Sequence, residues 1–257
     1  MPDATRHLTL ANGLQLTLRH APRLKRAAAA LRVQAGSHDA PAKWPGMAHF
    51  LEHLVFLGSE KFPQSGEYQQ FIASNGGSHN AWTGTEHSCF YFDISHEAFT
   101  AALERFADML GAPLFSDEAV DKERQAIEAE FSLKLKDDGR RIYQVHKETI
   151  NPAHPFAKFS VGNLTTLSDN PHSTLQQALR DFFAQQYSAK RMTLTLVSSL
   201  PLAQQRQYAE QYFQHLPGHL PAKAPLDVPL YLAEHQAIQL AIQPHRDTQK
   251  LVVSFAL

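Results

Sequence analysis

The stretch Gly46-Met47-Ala48-His49-Phe50-Leu51-Glu52-His53-Leu54-Val55-Phe56-Leu57-Gly58 places three polar residues in an otherwise apolar run. At about 3.6 residues per turn, a helix over roughly 46–57 puts His49 and His53, i and i+4, on one face, one above the other. Glu52, three on from His49, shares that face. Two neutral imidazoles so placed can reach one Zn²⁺, while the carboxylate beside them is free to take a proton from a water on the metal. The order, H-x-x-E-H, is the inverse of the commoner H-E-x-x-H. Two histidines on an amphipathic helix also describe an ordinary half-buried pair. Glu52 at this spacing favours the metal, and zinc then needs a third protein ligand.

Working outward, Leu8 to Leu18 alternates apolar and polar residues around Asn12-Gly13, a hairpin signal. Ala27 to Val33 is an apolar run that reads as a central strand despite its alanines. After the motif, Pro63 and Ser65 introduce a helix near 66–74 closed by Asn75-Gly76-Gly77. Ser78 to Thr85 and His87 to Ile94 read as neighbouring strands, and Ala98 to Leu110 as a helix packed across them. Ser116, with Asp117 and Glu118 after it, caps a long helix to about Leu135. Helices are expected at 140–150, 174–187 and 202–216, with a strand at 192–197 and a polar loop over 151–170. This mixture of hairpin and crossover connections predicts an α+β domain, one mixed and mostly antiparallel sheet with helices packed on it.

The tail differs. Prolines 217, 221, 225 and 229 mark 217–235 as a linker between a first domain, 1–216, and a further segment, 236–257. There Ile238–Ile242 and Leu251–Leu257 are strand-like. The last stops in mid-pattern, so the expectation is a portion of a longer protein that ends in the first strands of a second domain.

Composition narrows the function. The 257 residues are 43% hydrophobic and 19% charged, which suits a globular chain. Lys+Arg 24 against Asp+Glu 25 gives a net charge of -1 with no basic block, so nucleic acid is not an expected partner. No apolar run reaches the about 18 residues of a membrane span. The single cysteine, Cys89, rules out an intramolecular disulfide and a cysteine zinc cluster, and reads as a small core residue. Met1 to His7 carries no secretory pattern, and the expected compartment is the cytoplasm. Of 15 histidines, two are singled out.

The long helix carries Glu123 and Glu130, two turns apart on one face, so that a ligand at one would have a supporting carboxylate at the other. A helix with Glu118, Glu123, Glu128 and Glu130 is equally a solvated one. There are 69 residues between His53 and Glu123 and 6 between Glu123 and Glu130. His49-Phe50-Leu51-Glu52-His53 followed by two glutamates at these spacings resembles the signature of the pitrilysin/insulin-degrading inverzincin metallopeptidases. The resemblance extends to Asn12-Gly13-Leu14, Pro45-Gly46-Met47-Ala48, Asn80-Ala81-Trp82-Thr83 and Glu123-Arg124-Gln125-Ala126-Ile127, and covers about residues 7 to 200. Within the family it is strongest to the bacterial branch serving pyrroloquinoline quinone biosynthesis.

The resemblance implies that His49, His53 and Glu130 bind one Zn²⁺ per chain, that Glu52 is the general base, and that Glu123 is a catalytic supporting carboxylate. It implies that Asn80, Ala81, Trp82 and Thr83 form an edge strand to which an extended peptide adds, although Trp82 reads equally as a core residue. It further implies a clamshell, completed by the C-terminal half of the same protein or by a homologous chain, a homodimer being one such arrangement. That missing half also contributes to the site, so this portion would bind metal yet cleave weakly alone. In that branch the expected substrate is a small ribosomal precursor peptide with a crosslinked Glu-Tyr pair. The alternative is a non-catalytic relative that serves as a structural or partner-recognition subunit. Such members lose motif residues, and here all five positions are intact.

Overall fold

Alternation at the N-terminus folds into the expected hairpin, with Ala4–Thr9 (β1) antiparallel to Gln15–His20 (β2) in the register Thr9↔Gln15. Gly13 takes the left-handed φ of 90° that closes the turn. The computed structural model describes residues 3–245 and 249–255. Arg26–Val33 (β3), Ser78–Thr83 (β4), Ser88–Ser95 (β5) and Met192–Ser198 (β6) complete a six-stranded sheet of order β1-β2-β6-β3-β5-β4. Among the described residues only the β2–β6 pairing is parallel. β6 therefore lies at the centre of the sheet, and β4 is an edge strand with one side unpaired.

One face of the sheet is covered and the other is not. Leu16 and Leu18, Ala27 to Val33 at every second position, Phe90, Phe92 and Ile94, and Met192, Leu194 and Leu196 are buried. The intervening residues, among them Arg32, Tyr91 and Thr193, stay at least partly exposed, as a period of two on a half-covered sheet requires. The alanines of β3 thus line the core on one side and an open sheet face on the other.

The helices are Met47–Leu54 (α1), Glu67–Ser74 (α2), Phe99–Gly111 (α3), Asp117–Lys134 (α4), Asp138–Glu148 (α5), Leu175–Gln186 (α6) and Leu202–Phe213 (α7). Ser116 caps α4 by accepting from the Ala119 N–H, and Thr174 caps α6 through the Gln177 N–H. α1, shorter than expected, packs against both α4 and β4. Its buried Met47, Phe50, Leu51 and Leu54 pin it to the core while its histidines turn toward α4.

The tail departs from expectation. Among the described residues no strand forms at 238–242 or 251–255, and Ala256 and Leu257 lie outside the described residues. Ile238, Leu240, Leu251 and Phe255 are exposed. A strand exists only where another strand's edge takes its backbone groups, and neither described segment pairs with one. The proline-rich stretch is laid along the domain. Lys223 pairs with Asp39, Arg191 Nε donates to the Pro221 carbonyl at 2.9 Å, and the Asn151 N–H and Nδ2 reach the Leu230 and Pro229 carbonyls at 3.0 and 2.8 Å.

Candidate metal centre

His49 Nε2 and His53 Nε2 lie 3.3 Å apart, and Glu130 Oε2 lies 3.5 Å from the first and 3.6 Å from the second. The three atoms form a nearly equilateral triangle contributed by α1 and α4. The far side of each imidazole is engaged. His49 Nδ1 meets the Val161 carbonyl at 2.7 Å, so it carries the hydrogen, and His53 Nδ1 meets Glu123 Oε1 at 2.8 Å. Both Nε2 atoms are thereby aimed, with Glu130, at a single point. Three acceptors this close repel one another unless a cation lies among them: a proton, or a metal ion. The edge of a tetrahedron of nitrogen and oxygen ligands around zinc is on the order of 3.3 Å, close to the observed edges. Two imidazoles and one carboxylate would hold a zinc ion with a coordination position to spare, as catalytic rather than closed structural sites do.

Charge around the cluster is arranged unevenly. Burial, reinforced by neighbouring His53, pulls His49 down to about 4. Burial also works against charge on His53, yet the hydrogen bond and charge of Glu123 raise it above its ordinary value. Glu130 is lowered: burial opposes its charge, but Lys134, one turn on and paired with its other oxygen, outweighs that together with the histidines. Burial raises Glu52, which is only 8% exposed, against the hydrogen bond it accepts from the Thr83 hydroxyl.

The expected residues fall into two groups. His49, His53, Glu130, Glu123 and Glu52 converge. Of the four β4 positions only Thr83 joins them, touching Glu52; its hydroxyl also lies 3.1 Å from Ser88 Oγ, which donates to the Ala35 carbonyl at 2.9 Å. Asn80 and Trp82 are exposed, and Trp82, at 45% with its ring against His87, is not a core residue. The Ala81 N–H is taken by Asn80 Oδ1 rather than by β5, so it points out of the unpaired edge. Sequence reasoning missed Val161, Lys134 and the close approach of Gly46 to Gly162. These two glycines have left-handed φ of 93° and 86°, and a Cβ on Gly46 would lie 2.4 Å from the Gly162 Cα. The one signal was Gly162 itself, within a loop that carries no periodicity.

Fold and cluster together define a class: an α+β domain with a preformed two-histidine, one-carboxylate cradle, a buried glutamate at its side and an open sheet edge next to it. The sequence model of Insulinase (Peptidase family M16) matches residues 15–153, and that of the Peptidase M16 inactive domain matches residues 174–255. The chain belongs to peptidase family M16, the insulinase family. It is 44% identical over 211 residues to Coenzyme PQQ synthesis protein F of Pseudomonas putida, covering 82% of this chain and 27% of that protein. To Protease 3 of Escherichia coli it is 40% identical over 210 residues, 82% of this chain and 22% of the relative. To human insulin-degrading enzyme it is 35% identical over 249 residues, 96% and 24%. The crystal structure of pitrilysin superposes with a TM-score of 0.87 at 37% identity, over 91% of this chain and 25% of that one. The chain therefore spans about a quarter of the length of the relatives it matches.

Proposed function

We propose that this chain is the metal-binding portion of a zinc-dependent endopeptidase that cuts short, extended peptides. The observation that carries the reading is the convergence of His49 Nε2, His53 Nε2 and Glu130 Oε2 beside the buried carboxylate of Glu52. Zinc at these ligands would supply Lewis acidity, lowering the pKa of a water to roughly 7 and polarising a peptide carbonyl. Glu52 takes the proton of the attacking water and returns it to the departing amine. Its burial suits that role, since burial holds the carboxyl above its usual range, the direction that favours proton pick-up near neutral pH. The Thr83 hydroxyl orients it, and Glu123 fixes the ring of His53. The unpaired side of β4 accepts the peptide as an added strand through backbone hydrogen bonds that tolerate many sequences, the Ala81 N–H exchanging its bond to Asn80 Oδ1 for one to the peptide.

For the substrate we propose a precursor peptide of pyrroloquinoline quinone biosynthesis, processed in the cytoplasm. The supporting observation is the 44% identity to Coenzyme PQQ synthesis protein F. The match of residues 174–255 to an inactive M16 domain supports a paired arrangement, with the remainder of a longer polypeptide or a homologous chain, a homodimer included, closing over the site. Residues 1–216 form the zinc-binding domain in this reading, 217–235 the connection, and 236–257 the start of the next unit. Among the described residues no helix is long and apolar enough to cross a membrane.

Elemental analysis tests the reading directly. The chain reloaded with zinc after chelator treatment should retain close to one equivalent, and Glu130→Gln should lose most of it. Glu52→Gln should keep the zinc and slow cleavage of a quenched peptide by about 10²–10⁴-fold. A chain that takes up no zinc would overturn the proposal.

A further inference from the structure

His49 is oriented by a loop. Its Nδ1 donates to the carbonyl of Val161, 112 positions away, in a segment between Pro155–Ala157 and α6 that has no helix or strand of its own. A backbone carbonyl aims an imidazole only as well as its own chain is held, so the restraints on this loop become restraints on the ring.

The nearest restraint is local. Asn163 Oδ1 accepts from the Thr166 N–H at 2.9 Å, Thr166 Oγ1 accepts from the Asn163 N–H at 3.1 Å, and the fully buried Leu167 donates to the Asn163 carbonyl at 2.9 Å. These bonds make 163–167 a fixed turn without saying where it sits. Its position comes from α4. Glu128 Oε2 accepts from the Leu164 N–H at 2.8 Å, and Arg124 Nη2, one helical turn earlier, donates to the Leu164 carbonyl at 3.4 Å. Both backbone polar groups of one loop residue are thus taken by the helix that carries Glu123 and Glu130. On the other side Gly162 lies against Gly46 with no room for even a methyl group between them, so the loop cannot shift toward α1 in compensation.

We propose that Glu128 is a positioning residue for the metal centre, holding Leu164 and through it the Val161 carbonyl that sets the ring of His49. The inference rests on the metal reading of the site. Three acidic residues of α4 then have distinct parts to play, in that Glu123 orients one imidazole, Glu130 supplies a ligand oxygen, and Glu128, on another side of the helix, orients the other imidazole at second hand. A competing account is that Glu128 acts only through its charge near the cation. A third is that it merely staples the loop.

Three substitutions separate these accounts: Glu128→Ala removes the acceptor, Glu128→Gln keeps an acceptor oxygen but no charge, and Glu128→Asp keeps the charge but withdraws the acceptor by one methylene. The zinc dissociation constant is measured by chelator competition on the 257-residue chain. Thermal unfolding of each metal-free variant and the Nδ1–H resonance of His49 in the zinc-loaded form are recorded beside it. Positioning predicts that Glu128→Ala raises the dissociation constant about tenfold and displaces that resonance. Glu128→Gln should recover most of the affinity, with Glu128→Asp between the two. If Glu128→Ala does not fold, the order of the Gln and Asp variants decides. Asp at wild-type affinity with Gln weakened would establish a charge effect and overturn the proposal. Equal affinities throughout, or a loss of metal-free stability with no change at His49, would also overturn it. A wild-type chain that binds no zinc would instead overturn the metal reading itself, and this inference with it.

Discussion

His49 and His53 are identical side chains one helical turn apart, yet their surroundings push them in opposite directions, His49 down to about 4 and His53 above its ordinary value. A proton on His53 therefore competes with a metal ion for this cluster. Zinc affinity should fall as pH is lowered through the raised pKa of His53. Glu123→Gln should move that fall to lower pH while weakening zinc about 10–100-fold above it; competition titrations from about pH 5 to 8 check both. Lys147 poses a separate question. It is 1% exposed, donates to Ser160 Oγ at 3.2 Å and faces the Tyr143 and Phe156 rings, and burial pulls it down to about 8. Between pH 8 and 10.5 the unfolded chain binds more protons at this position than the folded one, so its contribution to stability rises with pH there and is unfavourable at pH 7. Lys147→Met should therefore raise stability at pH 7 by about 1–2 kcal/mol, a gain that shrinks across that window. Denaturant unfolding at about pH 7, 8.5 and 10 would read it, and a loss at neutral pH would mean that the polar and ring contacts outweigh desolvation.

At the scale of elements, two helices begin in the same unusual way. Gly46 before α1 and Gly66 before α2 both cap with left-handed φ, at 93° and 85°. Gly66 has nothing within 4 Å of where a Cβ would go, whereas Gly46 has the backbone of Gly162 at 2.4 Å. Gly66→Ala should cost only the backbone term, about 1–2 kcal/mol. Gly46→Ala should cost clearly more and also weaken zinc, because the loop holding Val161 must move; urea unfolding of the two metal-free variants makes the comparison. The same pair illustrates what was legible beforehand. α1 and α4 could be read because helical spacing gathers His49, His53, Glu123 and Glu130 onto faces, and Ser116 announces a helix start. The Val161 carbonyl could not, since a backbone group has no signature and its loop no period. Thr83 stands on the expected peptide-binding edge strand, and its contact with Glu52 is a side-chain pairing that no sequence spacing announces. The strands expected at 238–242 and 251–257 rested on β-prone residues, and none forms among the described ones. Propensity describes a residue, however, and pairing requires a neighbour.

For the molecule as a whole, residues 217–245 act as a strap. Besides the contacts to Asp39, Arg191 and Asn151, the Tyr231 hydroxyl meets His146 Nε2 at 3.2 Å, and Arg141 Nη1 donates to the Gln243 carbonyl at 3.1 Å. A chain ending at residue 235 keeps most of these, and one ending at 216 keeps none. With net values near 1 kcal/mol per hydrogen bond, less the entropy of ordering the strap, the longer one should melt close to the full chain and the shorter about 4–8 °C lower, as calorimetry would measure. The central place of β6 was beyond sequence reading for a related reason: Met192–Ser198 is an unmistakable strand, but nothing in it says that its partners are β2 and β3. That placement sets an order of events during synthesis. β2 and β3 are complete once Val33 has been made, and the strand that joins them begins only at Met192. At about 5–20 residues per second that interval lasts on the order of 10 s. From the completion of β5 at Ser95 until β6 is made, the first hairpin and the β3-β5-β4 unit have no shared strand, and each presents a bare edge to the ribosome's surroundings. The nascent chain should be at its most aggregation-prone just before β6 emerges, and a chaperone that shields strand edges should matter most in that window.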